Sequence, residues 1–241
     1  MLGHLLRMLR RDPRQNHLYI PKDIFFGHYT VEMSQEKGEA ELVRISQRAE
    51  REYQWIFYPD PNRWVFYPQM SQEKIQGSEY LRLSTQLFPL ITKNLHKVGA
   101  PFPYHLHPKA AFDFIYHGIR EQASLGKREA RNFAAVCIMF PSGGNLESCD
   151  EHWRISDYQQ QRVFGIASPF GVTKVELFGS DSEFFQQYES LRNTNVLERA
   201  GKRIMQERDL EILMAEMISE HRRAFDGLLS VEFTRASTYG A

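Results

Sequence analysis

Hydrophobic and polar positions divide the chain into stretches of different period. In "MSQEKGEAELVRISQRAE" (33–50), Leu42, Ile45 and Ala49 fall on one face among good helix formers, which predicts an amphipathic helix. The pattern changes at "EYQWIFYPDPNRWVFYP" (52–68). Two aromatic, β-favouring runs there flank the turn residues PDPN, the signature of a hairpin. Upstream, "HLYIPKDIFF" (17–26) reads as a short strand interrupted by Pro21. Downstream, "SEYLRLSTQLFPLITKNLHKVG" (78–99) has a helical pattern, with Ser78 as N-cap, Pro89 as a kink and Gly99 as the stop. "APFPYHLH" then reads as a strand. Residues 112–130 read as a helix with Phe114, Ile115 and Ile119 on its buried stripe. The continuous apolar run "FAAVCIMF" (133–140) reads as a central strand, broken by "PSGGN". Three β-like runs follow, "HWRIS", "QRVFGIA" and "VTKVELF". From Ser182 the pattern is helical, and 203–225 is amphipathic with Ile204, Leu210, Leu213 and Met217 near one face.

This order of elements predicts an α/β (α+β) domain over residues 17–180. Residues 1–16 form an amphipathic segment, with Leu2, Leu5, Leu6 and Leu9 at helical spacing among Arg7, Arg10, Arg11 and Arg14. Residues 181–241 form a helical C-terminal extension that either packs on the domain or serves as an assembly surface for oligomers. The pentapeptide MSQEK occurs at 33–37 and at 70–74, but the flanks differ and no repeat architecture follows.

Composition narrows the picture. Of 241 residues, 42% are hydrophobic and 13% aromatic, enough for a substantial core. Lys plus Arg and Asp plus Glu each number 30, so the net charge is zero and nothing supports specific nucleic-acid binding. No apolar run is long enough to span a bilayer. Cys137 and Cys149 make no CxxC pair, which points to reduced thiols and a cytoplasmic setting. Cys137 sits in an apolar run as an inert core thiol, and Cys149 with His152 reads as an exposed loop. "PSGGN" lacks the GK[ST] of a phosphate loop and reads as a tight turn.

The chemistry concentrates in "FPYHLHPKAAFDF" (102–114). Residues two apart on a strand point to the same face, so His105 and His107 present both imidazoles together, a geometry suited to a transition metal. Pro108 ends the strand and places the pair at its mouth. Asp113 is the nearest candidate for a third ligand, and His117 is its rival. An H-x-H pair is by itself a weak motif, and a hydrogen-bonded pair at a strand end satisfies it without metal.

"HLHP" at 105–108, preceded by a helix and a strand and followed by a helix and an apolar run, resembles the JAMM (JAB or MPN-plus) metalloprotease family. That family is marked by an early Glu, H-x-H-P and S-x-x-D. The resemblance implies a JAMM/cytidine-deaminase-like mixed sheet flanked by helices. It implies Zn2+ held by His105, His107 and Asp113, and Glu52 in "AEREYQWIF" as catalytic base, with Glu50 as runner-up. The activity implied is that of a zinc-dependent (iso)peptidase acting on a ubiquitin-like or other protein substrate. In "AAFD" the Ser position holds Ala110, and the connection from His107 to Asp113 is short. That departure implies a divergent peptidase, a metal binder without catalysis, or a non-catalytic MPN-like scaffold whose helices bind a protein partner. The aromatics Trp55, Tyr58, Trp64 and Tyr67 read as core in preference to a recognition surface.

Overall fold

The computed structural model describes residues 17–18, 29–50, 52–66, 71–75, 78–82, 102–122, 125–140, 163–178, 209–224 and 227–239. The first predicted helix forms as α1 (Gln35–Ser46) behind strand β1 (Tyr29–Glu32), its N-cap Ser34 accepting from the Lys37 amide. The predicted hairpin forms as β2 (Tyr53–Tyr58) and β3 (Arg63–Phe66) around residues 59–62. Asn62 takes the left-handed conformation there at φ 55°, which Asn tolerates through its short polar side chain.

Two short strands, β4 (Ser71–Ile75) and β5 (Ser78–Arg82), pair with each other. This corrects the helix expected from Ser78: Ser78 begins a strand, and the remainder of 83–99 lies outside the described residues. Gln76-Gly77 between the two runs is a two-residue connection with Gly, a hairpin signal that outweighs the helical spacing of the next leucines.

β6 (Phe102–Leu106) carries the histidines, as expected. Beyond it come α2 (Lys109–Gln122) and α3 (Lys127–Met139), then β7 (Val163–Ser168) and β8 (Gly171–Leu177). The single helix expected over 112–130 is therefore two, divided before N-cap Gly126. Phe114 is 54% exposed and does not belong to a buried stripe, whereas Ile115 packs on the core.

The expected central strand at 133–140 is the second half of α3. A short, wholly apolar run has no period that separates a buried strand from a buried helix. The preceding "KREARN" settles it, because these helix formers start a helix that runs on through Ala134 and Ala135 into the core. "QRVFGIA" and "VTKVELF" form strands as expected, and "HWRIS" lies outside the described residues.

In the C-terminal region, α4 (Leu210–Ala224) matches the amphipathic helix, with Leu213 and Met217 buried. The region is not helical throughout: β9 (Leu229–Arg235) follows, then a 3-10 turn at Ala236–Tyr239. Alternating "LSVEFTR" is strand sequence, and β9 pairs antiparallel with the whole of β8.

Seven strands form one mixed sheet in the order β1-β3-β2-β6-β7-β8-β9. β6 is central and runs parallel to β7, and the other described neighbours are antiparallel. Alternation along the strands separates two cores. One face carries Trp55, Phe57, Trp64, Tyr104, Leu106, Ala167 and Val172 against Leu42, Val43 and Ile45 of α1. The other carries Val175 and Val231 against Ala135, Ile138 and Met139 of α3 and Leu213 and Met217 of α4. The architecture is thus mixed α/β, with helices on both faces of the sheet. Trp55, Tyr58 and Trp64 are buried and so belong to the core, as expected, while Tyr67 lies outside the described residues.

Candidate metal centre

Parity along β6 places Tyr104 and Leu106 toward α1, and His105 and His107 toward α3. The antiparallel register of β2 and β6 pairs Tyr53 with Leu106 and Gln54 with His105. Glu52, one residue before β2, therefore arrives opposite His107 at the C-terminal end of the central strand. The backbone continues the sheet here, since the His107 amide donates to the Ala167 carbonyl at 2.8 Å.

Glu52, His105 and His107 form a compact group whose ligand atoms all lie within 4.8 Å of one another. His105 Nε2 is 3.0 Å from Glu52 Oε2, and His107 Nε2 is 3.8 Å from Glu52 Oε1. The two imidazole rings meet edge to face with centroids 4.8 Å apart. Ligands on a tetrahedral ion at bond lengths of about 2.1 Å sit about 3.4 Å from one another. The two separations from Glu52 lie on either side of that value.

The other nitrogen of His107 is already committed. Nδ1 lies 2.8 Å from the Ile138 carbonyl oxygen. A carbonyl only accepts, so Nδ1 carries the proton and Nε2 presents its lone pair to the group. Ile138 stands in the last turn of α3, where carbonyls have no partner within the helix. Thr173 Oγ1 donates to the neighbouring Met139 carbonyl in the same way. His107 is thereby oriented as metal-ligating histidines usually are, by a backbone carbonyl behind the ring. Burial lowers its pKa, and His105 adds to this while Glu52 opposes it. The neutral imidazole that a metal requires is thus the favoured form.

His105 is less enclosed, and the Glu52 carboxylate accepts from its Nε2. Metal binding through that atom would displace this hydrogen bond, with the ring proton moving to Nδ1.

Of the expected site residues, Glu52, His105 and His107 are brought together. Asp113 is not part of the group. It lies on α2 and accepts from Lys109 one turn away at 3.0 Å. Ala111, Phe112 and Ile115 face the core from α2, and Asp113 sits a helical step round from Phe112. Its rival His117 is exposed against the Tyr116 ring, and Glu50 is also exposed. Glu52, expected as a base, is the third member of this group, which could hold a metal ion. The Ile138 carbonyl was missed because its segment was read as a strand. The signal for it was the run of helix formers ahead of "FAAVCIMF".

No family model, no curated protein and no solved structure matches this chain. No helix among the described residues is long and apolar enough to cross a membrane.

Proposed function

We propose that the protein is a metal-dependent hydrolase of JAMM-like type, with Glu52, His105 and His107 holding one Zn2+ and a peptide or isopeptide bond as substrate. The observation that carries the reading is the convergence of two imidazoles and one carboxylate within 4.8 Å, with His107 oriented from behind by Ile138. Two His and one carboxylate form a donor set used by catalytic zinc, with a position left for water. When bound, such an ion lowers the pKa of its water to about 7 and polarises a carbonyl. His107 supplies a fixed, neutral nitrogen. Glu52 supplies the charge, and its second oxygen can take up a proton as water is activated.

The second reading is a non-catalytic scaffold that binds a protein partner. It is favoured by Ala110, by Asp113 lying apart, and by the Glu52–His105 hydrogen bond, which satisfies both groups without metal.

The test is hydrolysis of isopeptide-linked and linear peptide substrates with added zinc. Activity that chelator abolishes and zinc restores, and that falls about 100-fold or more in Glu52→Gln, is the expected result. Activity that survives both chelator and Glu52→Gln would overturn the reading.

A further inference from the structure

A pocket lies away from the candidate metal site, between α2 and the first turns of α3. It is an open cavity of about 360 Å³ lined by Phe112, Tyr116, Lys127, Arg128 and Arg131. Arg128 precedes Ile138 by ten residues on α3, about 15 Å along a helix, so this pocket and the His107 site sit toward opposite ends of that helix.

Its lining has two chemical halves. Phe112 and Tyr116, one turn apart on α2, form an aromatic wall with rings nearly parallel at 7° and centroids 6.1 Å apart. Facing them, α3 contributes three cations and no carboxylate to the lining. Lys127 and Arg131 are spaced i,i+4 and Arg128 and Arg131 i,i+3, spacings at which like charges repel. They also stand at the end of the helix where its dipole disfavours cations. None of the three makes an ion pair with another described residue. The nearby Glu129 carboxylate is turned to the Gly126 amide at 2.8 Å. A solvated helix face has no need to gather its cations at this end and beside a cavity.

We propose that this pocket is a binding site for a small anion carrying a flat ring, of the nucleoside monophosphate class. Arg128, Arg131 and Lys127 pair with the phosphate, and Tyr116 and Phe112 receive the ring. The volume is at the small end of the range for small-molecule sites, which suits a mononucleotide.

The test is calorimetric titration of the full chain with adenosine 5′-monophosphate, adenosine and inorganic phosphate separately. The nucleotide is expected to bind saturably and at least about tenfold more tightly than either half alone. Arg128→Gln with Arg131→Gln is expected to weaken it about tenfold or more while the circular dichroism spectrum is unchanged. Tyr116→Ala is expected to weaken the nucleotide and leave phosphate unaffected. No saturable binding of the nucleotide, equal affinity in the folded double arginine variant, or phosphate binding as tightly as the nucleotide would each overturn the proposal.

Discussion

His107 acts through two nitrogens at once, and this makes it the most informative single residue. Its Nδ1 caps α3 at Ile138, and its Nε2 faces Glu52. In the unfolded chain the imidazole takes up a proton near pH 6.5, whereas in the folded protein burial holds that uptake to lower pH. The stability that follows is present in full above about pH 6.5 and is lost as pH falls from there toward the lowered folded value, at up to about 1.4 kcal/mol per pH unit. Urea unfolding of metal-free protein between about pH 7.5 and pH 5 is expected to show this loss, and His107→Gln is expected to remove it. Parallel pH profiles for the two proteins would contradict the assignment. At the same scale, burial pushes the Cys137 thiol up to about 12. Iodoacetamide is therefore expected to modify Cys137 slowly in the folded protein at about pH 8 and readily after denaturation. The histidine pair was legible in the sequence because strand parity is a local rule. Glu52 came only from the family resemblance, since its place opposite His107 depends on β2 pairing with β6, a strand distant in sequence. The place of Asp113 was not legible, because its direction depends on the phase of a helix whose first residue no local signal fixed.

Elements approach one another closely on the α1 face. A Cβ on Gly38 of α1 would lie 2.0 Å from Trp64 Cε2, and one on Gly165 of β7 would lie 2.4 Å from the Tyr104 ring. Glycine inside a helix costs about 1 kcal/mol relative to alanine, yet here it lets α1 lie against the Trp64 indole. Gly38→Ala is expected to lower stability by about 1–3 kcal/mol in denaturant titration, although alanine is the better helix former. An increase in stability would show that the helix does not sit where described. The hairpin and α1 were legible because turn residues and helical spacing agreed there. α3 and β5 were misread because an apolar run and a Ser-initiated helical pattern each fit two structures. MSQEK makes the same point: at 33–37 it contains the N-cap and start of α1, and at 70–74 it leads into and through most of β4. Packing partners decide such segments, and they lie far away in sequence.

At the scale of the molecule, one sheet joins the N-terminal and C-terminal regions. β9 hydrogen-bonds along all of β8, and Val231 belongs to the core shared with α3 and α4. Glu39 of α1, 3% exposed, accepts from Tyr104, pairs with Lys174 of β8 at 2.7 Å and accepts from Tyr239 at 2.8 Å. Burial, and then Glu39, push both tyrosine hydroxyls well above their ordinary range, so they stay protonated as donors. Glu39→Ala would strand these donors and is expected to cost about 2–3 kcal/mol, less than a fully enclosed pair because Lys174 reaches solvent. A chain ending at residue 180 would lose β9, its contribution to the core and the Tyr239 contact. It is expected to lack a cooperative unfolding transition, and a sharp transition matching the full chain would contradict this.

The metal site proposed at Glu52, His105 and His107 is read out by elemental analysis of protein purified without chelator or a metal-affinity tag, beside a His105→Ala, His107→Ala variant that keeps the native circular dichroism spectrum. About one zinc per chain in the native protein and none in the variant is the expected result. No metal in either, or equal metal in both, would contradict it and leave His107 as the cap of α3 and His105 as the hydrogen-bond partner of Glu52.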